Sequence, residues 1–284
     1  MITIRDYYRA ITERLKSILG SSGEATAAAA IIFEDVAGYS KTFIFANGDR
    51  EITDSMQDRI KTVVDKIEAG EPVQYAVGKA RFMGNDYIVT PDVLIPRPET
   101  AGLVDMITDT WNGHDDLAVL DIGTGSGCIA LSLAKALPFS KVSGFDISSA
   151  AIEVAKRNSA ALKTAVEFVQ TDILTSVPPV AMYDIIVSNP PYVTDSEAAE
   201  MDKRVLDYEP HTALFVPDSD PLRFYKAIGL YARKALKSGG MLYFEINSNY
   251  RSEMLEMLNG QGFTDASVIR DFKGNYRYAI AKQP

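Results

Sequence analysis

Val119-Leu120-Asp121-Ile122-Gly123-Thr124-Gly125-Ser126-Gly127 is a short apolar strand running into a glycine-rich turn, and the helical stretch Ile129 to Leu137 follows. Glycine lets such a turn bend tightly and lets the backbone approach a ligand. Outward from it, the pattern repeats. Val142-Ser143-Gly144-Phe145-Asp146 reads as a strand and Ala150 to Ala161 as its helix. Val166 to Val169 and Tyr183 to Ser188 are the third and fourth strands. A helix spans about Pro221 to Leu236, and Met241 to Glu245 is the fifth strand. Ala266 to Ile269 and Arg277 to Ala281 suit a closing antiparallel pair. Strands alternating with helices predict an α/β fold, a doubly wound sheet covered by helices on both faces.

The chain before this alternation has a different character. Residues 1–73 read as a small helical bundle: Tyr8, Ile11, Leu15 and Ile18 recur at helical spacing, a second helix covers Thr26 to about Ala37, and a third starts near Thr53-Asp54. Residues 74–96 read as a β-hairpin connector, with strands at Gln74 to Gly78 and Asp86 to Val89 around Gly84-Asn85. From residue 97 to 284 the chain is the α/β body, and Thr100 is placed to cap the helix carrying Leu103, Val104 and Ile107.

The 284 residues carry a formal net charge of −9, a single cysteine and two histidines. An acidic chain is a poor sequence-independent binder of nucleic acid, which relies on basic surface. One cysteine allows no internal disulfide, so a reducing cytoplasm is the expected compartment. No apolar run approaches the ~20 residues of a membrane span. His114 and His211 lie far apart and no Cys/His cluster exists, so no metal site is expected. Cys128 reads as a small residue packed at a helix start.

Two further features define a candidate site. Asp146 ends the second strand 23 residues after Gly123, where a carboxylate can accept both hydroxyls of a ribose. Asp172, after the third strand, is in reach of an adenine amine. The fourth strand runs into Asn189-Pro190-Pro191-Tyr192. Its prolines have no backbone N–H, so the turn offers acceptors rather than donors. The Asn189 side-chain oxygen and the Pro190 carbonyl can both accept from a planar –NH2 group, and the Tyr192 ring can pack on the plane that carries it. The glycines by themselves leave a nicotinamide-dependent oxidoreductase open, because Gly125-Ser126-Gly127-Cys128-Ile129-Ala130 also fits the dinucleotide pattern. Against that reading, no His or Lys stands out for handling a hydride.

With these residues in view the chain resembles the HemK/PrmC methyltransferases, which modify the glutamine of the Gly-Gly-Gln loop in peptide chain release factors. The similarity rests on Glu71-Pro72-Val73-Gln74-Tyr75, Leu94 to Thr100 with its Ile-Pro-Arg-Pro-Glu-Thr stretch, Leu120 to Gly127, Ser188 to Val193, and Tyr208 to Leu214. It implies a Rossmann-like class I methyltransferase sheet behind a small helical domain that helps dock the release factor. It implies S-adenosyl-L-methionine at Gly123, Thr124, Gly125, Ser126, Gly127 and Asn189, the ribose on Asp146, and the adenine at Asp172 and Ile173. It also implies that Asn189, Pro190, Pro191 and Tyr192 hold the substrate glutamine amide. Two departures are visible: Glu245-Ile246-Asn247, where the family often has a glycine, and Asp271 to Arg277, which lacks a proline often seen before that arginine.

The main rival is an adenine amino-methyltransferase acting on DNA or RNA, which uses a similar acceptor turn and must flip its base. The stretch Thr194 to Glu209 holds six acids against Lys203 and Arg204. Beside a site it would repel phosphates and attract a basic protein loop.

Overall fold

A computed structural model describes residues 1–284. The chain forms two compact units, Met1–Lys79 with Lys203–Tyr208, and Ala80–Asp202 with Glu209–Pro284.

The first unit is helical: α1 (Ile4–Leu19), α2 (Ser22–Ala37), α3 (Lys41–Asn47), α4 (Asp54–Glu68) and α5 (Val73–Val77). The first four each begin at a hydroxyl cap. Thr3, Ser21, Ser40 and Thr53 accept from the amides of Asp6, Glu24, Phe43 and Met56, which satisfies donors the helix itself cannot. Ile11 and Leu15 meet Ala29, Ile32 and Phe33 and the Ile60–Val64 face of α4 in one apolar core. The sequence reading missed α3, whose seven residues are too few for a clear period. It also took Gln74 to Gly78 for a strand, and the structure corrects this: the segment is α5, closed by Gly78 in the left-handed conformation. Its Tyr and Val are β-formers, but burial of Tyr75 and Ala76 overrides that weak preference.

In the second unit the hairpin strands are β1 (Lys79–Phe82) and β2 (Asn85–Ile88). They turn at Met83 and Gly84, both with positive φ, as a two-residue hairpin of favourable twist requires. There follow α6 (Pro98–Trp111), β3 (Ala118–Ile122), α7 (Cys128–Ala136), β4 (Lys141–Asp146), α8 (Ser149–Leu162), β5 (Glu167–Gln170) and β6 (Tyr183–Ser188). After them come β7 (Val193–Thr194), α9 (Lys203–Tyr208, counted with the first unit), β8 (Phe215–Val216), α10 (Arg223–Ala235), β9 (Leu236–Glu245), α11 (Arg251–Gly260), β10 (Thr264–Arg270) and β11 (Tyr276–Lys282). Thr100 is not the cap of α6: that helix starts at Pro98 behind Arg97, with Pro in its first turn, where the missing N–H costs nothing.

The main sheet has the order β10-β11-β9-β6-β3-β4-β5, parallel except at β11 and β10. Alternate residues go to opposite faces. Val119, Ile185, Val187 and Tyr243 pack against α6, α7 and α8, while Leu120, Ile122, Ile186, Leu242 and Phe244 pack against α10 and α11. The chain winds from β3 out to β5 and then returns to β6 on the other side of β3. The crevice between β3 and β6 is therefore the switch point of the sheet, where ligands bind in such folds.

Register carries the fold into the site. Ile122 lies opposite Phe145 and opposite Ser188, and Ser188 lies opposite Phe244. The next residue on each strand is Gly123, Asp146, Asn189 and Glu245. Four strands thus end in one row, three of them on residues already singled out in the sequence.

Candidate active site

The row opens into a cleft of about 350 Å³. Gly123 to Ser126, Asp146, Asp172, Ile173 and Asn189 to Pro191 all line it, so one cavity collects residues spread over nearly seventy positions. Gly127 and Tyr192 stand outside the lining. Gly127 is the left-handed residue at the start of α7, packed against Leu131 and Phe168. Ile122, Phe145, Ile147 and Leu174 supply apolar wall.

Three successive amides of the glycine loop are bonded within the protein. The amides of Gly123 and Thr124 both donate to the Phe145 carbonyl, at 2.8 and 2.9 Å, and that of Gly125 donates to Asp146 Oδ2 at 2.9 Å. Beneath the loop lies Asp121, wholly buried. Its Oδ2 accepts from Thr124 Oγ1 at 2.7 Å and from the Ala130 amide at 3.2 Å, and its Oδ1 has no donor. Burial pushes this carboxyl up to about 7, against the lowering effect of those two bonds. A pyrophosphate needs free amides at a helix start; here a carboxylate takes one of them. Asp92, Asp146 and Asp172 also line the cleft, against Arg97 and Arg223. The electrostatics suit a cationic ligand.

Asp146 is braced as well as placed. Its Oδ1 accepts from the Ser148 amide at 2.9 Å, just ahead of the α8 cap made by Ser148 itself. Burial raises its carboxyl above the usual range. Two bonds leave acceptor capacity on both oxygens. Asp172 closes a turn on the Leu174 amide through Oδ1 alone. Asn158, fully buried on α8, bonds both backbone groups of Ile88 and the Ser126 carbonyl, which ties the hairpin to the loop.

The Asn189-Pro190-Pro191-Tyr192 turn is held from behind by a residue the sequence reading left unassigned. Glu245 is 1% exposed. Its Oε2 accepts from Thr100 Oγ1 at 2.7 Å and its Oε1 from the Tyr192 hydroxyl at 3.2 Å. Thr100 in turn lies 3.5 Å from Asn189 Nδ2. The Tyr192 hydroxyl is thus turned inward, and burial raises its pKa well above 10. Burial likewise raises Glu245, opposed by the Thr100 bond and the Arg277 charge. The sequence shows only that Glu245 ends an apolar strand; that this strand pairs with the one carrying Asn189 is seen in the sheet.

Two motifs with no assigned chemistry meet at the rim. Glu209 accepts from the Ile95 amide at 3.2 Å and from the Arg97 guanidinium at 2.5 Å, so the Tyr208-Glu209-Pro210 stretch clamps the Ile-Pro-Arg-Pro stretch. Both border the cleft.

Comparison with known proteins gives the same reading. Residues 6–78 match the PrmC N-terminal domain family and residues 100–207 the methyltransferase small domain family. A release factor glutamine methyltransferase of Bacteroides thetaiotaomicron is 43% identical over 261 residues, covering 92% of this chain and 93% of that protein. One from Enterococcus faecalis is 34% identical, with 94% and 95% covered. The chain belongs to the release factor glutamine methyltransferase family. Its fold is shared more widely. A methyltransferase from Pyrococcus furiosus superposes with a TM-score of 0.52 at 19% identity, over 71% of this chain and 90% of that one. A Thermus thermophilus 16S rRNA methyltransferase, solved with AdoMet and guanosine, gives 0.53 at 20% identity, over 72% and 50%.

The two stretches read from the sequence as departures, Glu245 to Asn247 and Asp271 to Arg277, are well-bonded structure. Asn247 Nδ2 donates to the Tyr192 carbonyl at 3.2 Å and to Glu197 Oε2 at 2.9 Å, and Asn249 Nδ2 reaches Glu197 Oε1 at 2.7 Å. The start of the acidic stretch is therefore latched to the acceptor turn. Asp271 Oδ1 accepts the amides of Lys273 and Asn275, and Asp271 Oδ2 receives Arg277 Nε at 3.3 Å, which makes a closed turn without proline.

Proposed function

We propose that this chain transfers a methyl group from S-adenosyl-L-methionine to the side-chain amide nitrogen of the glutamine in the Gly-Gly-Gln loop of peptide chain release factors, in the cytoplasm. The observation that carries the reading is the single row in which glycine loop, ribose acid and acceptor turn end side by side in a member of this family.

The cleft fits the cofactor on its own terms. The amides of Gly123, Thr124 and Gly125, already bonded within the protein, and three lining aspartates favour a ligand that carries positive charge and donors. They disfavour the nicotinamide reading, whose pyrophosphate is an anion. Asp146 accepts the ribose hydroxyls, and Asp172 with Ile173 borders the adenine. When bound, the cofactor supplies an electrophilic methyl on a sulfonium leaving group.

The chain's own residues then orient and polarise the acceptor. Asn189 Oδ1 and the Pro190 carbonyl accept the two N–H bonds of the glutamine amide and aim its nitrogen at the methyl carbon. Positive charge grows on that nitrogen as the carbon–nitrogen bond forms and the carbon–sulfur pair leaves with sulfur. Both acceptors therefore hold the transition state more tightly than the ground state. The extra proton departs from nitrogen to solvent after transfer, and no base is needed before it. The N-terminal helical unit is assigned the docking of the release factor.

The adenine reading shares the acceptor turn, and one assay separates them. Labelled cofactor is offered to a purified release factor, to the same factor with its Gly-Gly-Gln glutamine replaced, and to duplex DNA and structured RNA. A single methyl on that glutamine, absent from the replaced factor, is expected. Label on nucleic acid alone would overturn the proposal in favour of adenine methylation.

A further inference from the structure

We infer that Glu245 is a positioning residue: acting through Thr100, it decides which end of the Asn189 amide faces the acceptor. The inference rests on the reading that Asn189 receives the substrate –NH2.

Hydrogen-bond direction carries the argument. A carboxylate can only accept. Glu245 Oε2 therefore takes the Thr100 hydrogen at 2.7 Å. With its one hydrogen committed, the Thr100 oxygen can meet Asn189 only as an acceptor, so it faces the Asn189 –NH2 at 3.5 Å. Asn189 Oδ1 is left as the end presented to the cleft that Asn189 lines. Turned the other way, Asn189 would set its own –NH2 against the substrate's, two donors with nothing between them.

The same carboxylate holds the far end of the turn, since Oε1 accepts from Tyr192 at 3.2 Å. Its backbone is pinned too, because the Tyr225 hydroxyl donates to the Glu245 carbonyl at 3.0 Å. Arg277 lends positive charge to the buried acid and is itself fixed on Asp271. One acid thus sets both the polarity of the first residue in the turn and the place of the last. Strand register puts it there, one step past Phe244 and across from Asn189.

The substitution Glu245→Gln keeps the shape and adds a donor. The new –NH2 can give to Thr100, Thr100 can then give to Asn189 Oδ1, and the amide turns over. Thr100→Val breaks the relay with almost no change in volume, and Thr100→Ser restores the hydroxyl.

The test reads the Asn189 side-chain –NH2 by NMR in the full-length protein, without acceptor. Its exchange with water is expected to be at least ~10-fold faster in Glu245→Gln and Thr100→Val than in the native chain, and near native in Thr100→Ser. In the methylation assay, Glu245→Gln and Thr100→Val should lower kcat at least ~30-fold while the Kd for S-adenosyl-L-methionine and the KM for the release factor shift less than ~3-fold; Thr100→Ser should recover most of the lost rate. If Glu245→Gln does not fold, the Thr100 pair carries the same test. Native exchange in both Glu245→Gln and Thr100→Val overturns the inference. Altered exchange in the variants, with a native chain that itself leaves release factors unmethylated, supports the relay and overturns the functional reading instead.

Discussion

Asp121 shows at the scale of one residue what the support of the glycine loop costs. It is an acid buried without a cation, and its carboxyl is pushed up to about 7 from an ordinary 3.8. An acid raised by folding favours the native state most when protonated. Its contribution is therefore greatest at low pH, falls as pH rises from about 4 to about 7, and is flat above that. The gap between the two values is worth roughly 4 kcal/mol at most. Unfolding free energies of the native chain and Asp121→Asn, measured between pH 5 and 8, should diverge in favour of the variant as pH rises; parallel curves would show that the acid is not raised. Asp146→Ala removes an acceptor of both ribose and loop, and calorimetry should show S-adenosyl-L-methionine bound roughly 10- to 100-fold more weakly. Asn189→Ala should lower kcat at least ~100-fold with that affinity unchanged, and equal turnover would remove Asn189 from the mechanism. Asp146 and Asn189 were legible because each ends an apolar run with a residue type that its chemistry demands. Glu245 was not, because its partners lie 53 and 145 residues away and only the sheet brings them together.

At the scale of the element, Tyr183–Ser188 is a strand end to end, as the β-branched run Ile185-Ile186-Val187 requires of a strand buried on both faces. Gln74 to Gly78 had the same kind of residues and became a helix, because a five-residue segment takes its conformation from what it packs on. Thr100 shows a different failure. It has a good capping side chain, but Pro98 already starts the helix, and its hydroxyl goes to Glu245. The rim is held by one acid, so Glu209→Gln should loosen residues 92–97. The Glu209 side chain is 1% exposed and that of Arg97 33%, so the abandoned guanidinium can still reach water. The expected loss is about 1–3 kcal/mol rather than the larger penalty of a charge sealed in the core. Hydrogen exchange should locate it, with faster exchange at the Ile95 amide.

The whole molecule is threaded rather than simply joined, since Lys203–Tyr208 leaves the second unit, packs with the first and returns. Tyr208 donates to the Ala69 carbonyl at 2.7 Å and Arg204 reaches Glu24 at 2.5 Å. Combining Tyr208→Phe with Arg204→Ala should expose this segment, and limited proteolysis should then cut within 203–208 while the native chain resists. No composition or period announces such a return; it is an outcome of packing. At the same scale, the shared row of strand ends has an evolutionary meaning. The glycine loop, Asp146, the Asn189 turn and Glu245 all hang from β3, β4, β6 and β9, while loops farther beyond the row can lengthen or be replaced without moving it. A single deletion inside β6 would turn the side chains beyond it to the opposite face and carry Asn189 out of line. Change in what this scaffold modifies is therefore easier to accommodate in the loops beyond the glycine turn and the Asn189–Tyr192 turn than in the strands before them.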